Sequence, residues 1–267
     1  MASTGHAEIA QSQAAEHATN VVQQAEKAIH PLEQFEIWPI LDIQIGGFDL
    51  SFTNSALAMV IAAGVAFLVM RLGMREAELV PGRMQNVAEM LYDIVANMIR
   101  DNVGGEGKKY FPIIFTLFLF LLFGNVLGLI PFVFTFTSHL AVTFFMAAVI
   151  FIVVTIIGIA RHGTGFLRLF FPEGAPLWTA VILVPIELVS YLSRPVSLSV
   201  RLFANMMVGH TLLEVLAAFA VLMGVAGILP LTLLVGITAL EFLVAVLQAY
   251  VFTILTCIYL HDALHLH

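Results

Sequence analysis

The chain has 267 residues, 60% hydrophobic and only 11% charged, with a mean hydropathy of +0.99. A soluble domain carries about a quarter charged residues, so this composition places the chain in a membrane rather than in water. The net charge of −7 comes without a basic stripe, which argues against nucleic acid, and the lone Cys257 excludes an internal disulfide framework or a cysteine-rich metal site.

Residues 1–50 read as a polar segment outside the membrane. They hold seven acids (Glu8, Glu16, Glu26, Glu33, Glu36, Asp42, Asp49) against Lys27, which accounts for most of the charge imbalance. The opening "MASTGHAEIAQSQAAEHATN" has no early positive charge and no apolar core, so no signal peptide is expected and insertion relies on later spans. The membrane domain is expected over 51–261. Its first span, 51–71, is uncharged up to Arg71 and long enough for a hydrocarbon layer of roughly 30 Å. Arg71, Arg75 and Arg83 put its C-terminal end on the cytoplasmic side, leaving the N-terminus outside.

Residues 82–101 are too polar to span. Met84, Val87, Met90, Leu91, Ile94, Val95 and Met98 recur at helical spacing between charges, predicting an amphipathic helix along the cytoplasmic interface. "GGEGKK" (104–109) reads as a flexible basic turn. A transmembrane hairpin follows, 111–136 and 140–160, bent at Thr137-Ser138-His139. Arg161 and Arg168 then return the chain to the cytoplasm, before "FPEGAP" (171–176) breaks the structure.

The last stretch predicts two long helices, 177–223 and 231–261, with Gly227 and Pro230 marking the turn and 262–267 a cytoplasmic tail. A helix of some 45 residues extends about 68 Å, twice the apolar thickness. The pattern favours a hairpin of strongly tilted helices, with Pro185 or Pro195 as places where the first could break instead. Long apolar runs without strand-like alternation make the fold class all-α integral membrane protein.

Ionisable side chains inside this last hairpin are Glu187, Arg194, Arg201, His210, Glu214 and Glu241, accompanied by Asn205 and Gln248. Each ionisable group at membrane depth costs roughly 2.5–3.5 kcal/mol, too much for a mere anchor. At helical pitch Glu187, Ser197 and Asn205 fall within about 40° of Arg201, whereas His210 and Glu214 lie on the opposite side. Glu241, Ala245, Gln248 and Phe252 form a stripe on the next helix, with Tyr259 further on. Two polar tracks with an arginine between them suggest two aqueous half-pathways that do not meet. Arginine suits the divide because it attracts a carboxylate yet does not give up its own proton.

Plainer readings stand beside these. Arg194 reads as structural or snorkelling. Glu214 has a simple alternative in a pair with His210 or a water-facing helix end, and Glu187 in a cap or a snorkelling side chain. His261, His265 and His267 read as a solvated tail rather than a metal site, and His6, His17 and His30 are too dispersed to form one. No nucleotide-binding glycine loop is present, so neither a cofactor nor a metal is expected.

"RPVSLSVRLFANMMVGH" (194–210) with "LEFLVAVLQAYVFTILTCIYLHD" (240–262) resembles the subunit-a family of F-type ATP synthases, and "FGNVLGLIPF" (123–132) matches an earlier span of that family. The likeness covers roughly 110–262. It implies a static proton channel, not an enzyme on its own, beside a rotor ring whose subunits each carry a mid-membrane carboxylate. Peripheral-stalk subunits and lipid are the other implied partners. By position Arg201 resembles the family's essential arginine. Asn205 and Gln248 match polar channel residues, Glu187 and Ser197 the cytoplasmic half-channel, and His210 and Glu241 a pair whose identities are exchanged in some bacteria. Glu214 joins the proton-pathway candidates. The arrangement is closest to alphaproteobacterial and mitochondrial members, and a bacterial inner membrane is the expected location. The rival classes are a secondary transporter, for which no internal repeat is found, and a non-transporting scaffold subunit, which leaves the aligned polar faces unexplained.

Overall fold

A computed structural model describes residues 35–42, 44–45, 48–49, 51–75, 78, 80–130, 133–163, 165–166 and 179–265. His6, His17, His30, Arg168, "FPEGAP" and His267 lie outside them. Among the described residues the chain is all-α apart from short strands before the first described helix, and five helical segments are long and apolar enough to cross a membrane.

The strands are β1 (Pro39–Leu41), β2 (Gln44–Ile45), β3 (Phe48–Asp49) and β4 (Phe52–Thr53). β1 pairs antiparallel with β4, and β2 with β3. The all-α fold class stands, and these strands are a minor addition to it. The strands are two or three residues long, too short for alternation to register. The hairpin is tied to helix α1 (Asn54–Gly73): the Trp38 amide donates to Asn54 Oδ1 at 3.2 Å, and the Thr53 hydroxyl caps α1 by accepting from the Ala56 amide at 3.3 Å.

Helix α2 (Arg83–Asn102) divides its apolar residues between two directions. Ala88, Leu91, Val95, Met98 and Ile99 are buried, while Met84, Val87 and Met90 remain exposed. The helix ends where Gly104, at φ +80°, turns the chain, and the amides of Val103 and Gly104 both donate to the Ile99 carbonyl. "GGEGKK" is not a flexible turn: Gly105–Tyr110 forms a 3-10 helix leading straight into α3 (Phe111–Gly128), and Glu106 is clasped by Arg161 at 2.6 Å.

α3 stops at Gly128, short of the predicted 136, because Pro131 disfavours helical backbone before it. The polar bend is folded rather than loose. Phe136–Ser138 forms a 3-10 turn whose three residues are buried, and the Thr135 hydroxyl donates to the Gly128 carbonyl at 3.0 Å. Glycine is required at 124 and 128, where a Cβ would meet Phe136 and Thr135. Helix α4 (Leu140–His162) follows.

Helices α5 (Ala180–Leu222) and α6 (Ile228–Leu264) complete the fold. Pro185 and Pro195 lie inside α5 and do not break it. Its 43 residues correspond to roughly 65 Å. The turn between them is Gly224–Gly227, earlier than predicted, with Gly224 at φ +56°. Pro230 falls in the first turn of α6, where its missing N–H is harmless.

The described residues fall into two compact units, one with 35–36 and 207–241, the other drawn from 37–206 and 242–265. The larger unit holds the main core, in which Leu91, Val95, Ile114, Phe118, Leu121, Leu198, Leu202 and Phe252 belong to one buried cluster. The smaller holds the end of α5, the turn and the start of α6.

Candidate functional site

In the larger unit, α5 presents sharply different faces. Leu198, Leu202 and Met206 recur every four residues and are buried, at no more than 3% exposure. The residues just before them, Ser197, Arg201 and Asn205, are all exposed. A spacing of four keeps each set on its own side of the helix. The apolar set belongs in the core and the polar set is carried outward by geometry, so the guanidinium of Arg201 is displayed at the surface. Glu187 is half-buried on α5, roughly 21 Å along the axis from Arg201, too far for direct contact.

Asn205 is not idle. Its Nδ2 donates to Gln248 Oε1 at 2.8 Å, joining two candidates that lie 43 residues apart. Gln248 is buried and its Nε2 has no hydrogen-bond partner among the described residues. On α3, Asn125 is fully buried; its Nδ2 donates to the Ala245 carbonyl at 3.3 Å, and its Oδ1 has no partner among the described residues. Asn125 was missed as a site residue. Its signal, an amide within the apolar "FGNVLG", was available but overshadowed by the charged residues. Buried polar atoms without partners are rare and costly, so these amides mark a polar seam in an apolar core.

In the smaller unit, the Glu241 carboxylate lies against Gly209: a Cβ at 209 would run into Glu241 Oε1. Glu241 is 9% exposed, and its Oε2 has no hydrogen-bond partner among the described residues. His210 is half-buried and meets the Phe35 ring edge-on at 6.2 Å. A glycine beside the histidine thus makes room for the acid. Glu214 is half-buried one turn past His210. The predicted stripe Glu241, Ala245, Gln248 and Phe252 is buried at every position.

Tyr259, further along α6, has a different neighbour. It belongs with Arg194, whose Nη1 pairs with Asp262 at 3.0 Å and whose guanidinium lies 5.4 Å from the Tyr191 ring centre and 5.0 Å from that of Tyr259. The Tyr191 hydroxyl in turn bonds Thr155 on α4 at 2.7 Å. These contacts are what the plainer, structural reading of Arg194 calls for. Asp262 lies in α6, not in a loose tail. His261 and His265 stack at 4.6 Å, and among the described residues no group of three metal-ligating side chains comes together.

The structure thus sets an exposed arginine on the same helix as Asn205, which bonds the buried Gln248, and a buried acid against a glycine next to a histidine. The family model for the ATP synthase A chain matches residues 56–261. The chain belongs to that family. Its relatives include ATP synthase subunit a of Rhodospirillum rubrum, 60% identical over 238 residues, covering 89% of this chain and 99% of the relative. The same-named protein of Paramagnetospirillum magneticum is 57% identical over 245 residues, covering 89% and 99%. That of Pelagibacter ubique is 52% identical over 242 residues, covering 90% and 99%. The likeness to alphaproteobacterial members thus extends across nearly the whole chain, well beyond the motifs that first showed it.

Proposed function

We propose that the chain is the stationary proton-channel subunit of a rotary ATP synthase, set in the bacterial inner membrane with its N-terminus outside and its C-terminus in the cytoplasm. The observation that carries this reading is the exposed Ser197–Arg201–Asn205 face of α5. An arginine turned toward lipid would bear the full cost of a buried charge, so this face calls for an anionic neighbour. A rotor ring with one mid-membrane carboxylate per subunit supplies it.

Each ring carboxylate crosses the lipid only when protonated, because the ionised form is too costly to desolvate. His210 and Glu241 serve the entry side and deliver the proton, with Glu214 beside them and Asn205 and Gln248 as hydrogen-bonding positions. Ser197 and Glu187 serve the exit side, where the proton leaves after nearly a full turn. Arg201 draws in the resulting carboxylate and closes the direct route, since it has no proton to pass on. The transmembrane potential supplies about 2.3 kcal/mol per charge per 100 mV. The chain does no covalent chemistry; nucleotide work falls to other subunits of the complex, and a peripheral stalk holds this one still.

The test is ATP-driven acidification of inverted vesicles carrying the complete complex, with and without sodium. The unsubstituted complex acidifies equally in both, and Arg201→Ala abolishes acidification while letting protons leak passively. Normal pumping by Arg201→Ala defeats the assignment, and a requirement for sodium replaces the proton as the transported ion.

A further inference from the structure

A second charged site is lined by none of the proposed pathway residues. The end of α2, the 105–110 turn and the start of α3 enclose a cavity of about 510 Å³. Arg100 and Lys108 line it, opposed by a single carboxylate, Asp93. Tyr92 and Phe111 supply apolar wall, with ring centres 4.8 Å apart, and Ala96 leaves room between the helix and the turn. Lys108 reaches the cavity because Gly104 reverses the chain at φ +80°.

The site is built to stay positive. Glu106, the carboxylate nearest Lys108 in sequence, is taken by Arg161 at 2.6 Å. The Ile99 carbonyl at the end of α2 already accepts from two amides, which leaves Arg100 free of that capping duty. Two exposed cations, one acid and an aromatic wall describe an amphiphilic anion: a phosphate on one side, hydrocarbon on the other. The exposed Met84, Val87 and Met90 on the same helix add an apolar surface suited to the upper acyl region.

We propose that this cavity seats the headgroup of an acidic phospholipid, its phosphate between Arg100 and Lys108 and its glycerol and first acyl carbons against Tyr92, Ala96 and Phe111. The proposal takes α2 to lie along the membrane interface, as its amphipathic pattern predicts. It is independent of the proton pathway, so either can fail alone. The site anchors the interfacial helix to a lipid of one charge type and makes stability of the assembled complex sensitive to headgroup.

The experiment titrates the complete complex, stripped of lipid in detergent, with phosphatidylglycerol and counts retained lipids by native mass spectrometry. One phosphatidylglycerol should bind more tightly than any phosphatidylcholine. Arg100→Gln or Lys108→Gln should raise its midpoint about fivefold each, and about 30-fold together. Lys108→Arg should leave it unchanged, Asp93→Asn should tighten it a few-fold, and Ala96→Phe should weaken it by filling the cavity without altering charge. Where the double variant fails to assemble, Asp93→Asn and Ala96→Phe decide. The proposal is overturned if those two leave the midpoint unmoved, or if phosphatidylcholine is held equally. Displacement by millimolar inorganic phosphate alone would assign the cavity to a free anion instead. Loss of a stalk polypeptide from the double variant, with the lipid count unchanged, would make it a protein seat and equally overturn the proposal.

Discussion

Helices α3 and α5 are both apolar enough to cross a membrane, yet they are used in opposite ways. Of the most apolar window in the segment ending with α3, 44% is buried within the chain; for α5 the figure is 11%. α3 is an interior helix, gripped by α1 and α2 and notched with Gly124 and Gly128 so that neighbours can press close. α5 buries one narrow stripe and offers the rest outward, Arg201 included. Hydrophobicity alone does not separate them. Small residues mark the helix that packs within the chain, whereas regularly spaced polar residues mark the one that works at its surface.

The sharpest way to break that contrast is at the pair proposed to take up protons. His210→Ala or Glu241→Gln should each lower ATP-driven acidification about 100-fold, the scale of a lost proton-transfer group. Exchanging the two residues should restore much of it. A double exchange no better than the worse single variant would show that they do not share one proton site. A step smaller is Gly209→Ala, whose methyl must displace the Glu241 carboxylate. Acidification should fall about tenfold through misplacement of the acid, with the complex assembling normally. Reduced assembly with unchanged specific activity would make that glycine a packing device only.

On α3 the expected effect changes character. Gly124→Ala drives a Cβ into the Phe136 ring and should destabilise the assembled subunit by about 1–3 kcal/mol, seen as a lower thermal midpoint of the complex. Pumping by the surviving complex should be normal. The smallest effect is expected at Asn205→Ala, which removes one hydrogen bond to Gln248. Such bonds are worth about 0.6 kcal/mol in membranes, so acidification should drop only about threefold. A much larger loss would mean that Asn205 handles the proton directly.

Sequence pattern made most of the helices legible because a membrane imposes a length and a polarity on whatever crosses it. The display of Ser197, Arg201 and Asn205 on one side was equally legible, since it needs only the helical period. Contacts between distant segments were not. Arg194 and Asp262 are 68 residues apart, and no local rule pairs them. Asn125 reaches the Ala245 backbone across 120 residues, a bond that depends on the close approach of α3 and α6. The early end of α3 and the strands before α1 were hidden for another reason: apolar residues continue past the helix, and two-residue strands leave no period to read.

The central claim is that α5 turns its Arg201 face, and not its leucine face, toward a carboxylate-bearing ring. Cys257 is fully buried, so an introduced thiol can be addressed against a quiet background. Cysteines at 197 or 205 should form disulfides with a cysteine placed beside the ring carboxylate, and cysteine at 202 should not. Cross-linking confined to position 202, with 197 and 205 unreactive toward the ring, would contradict the account.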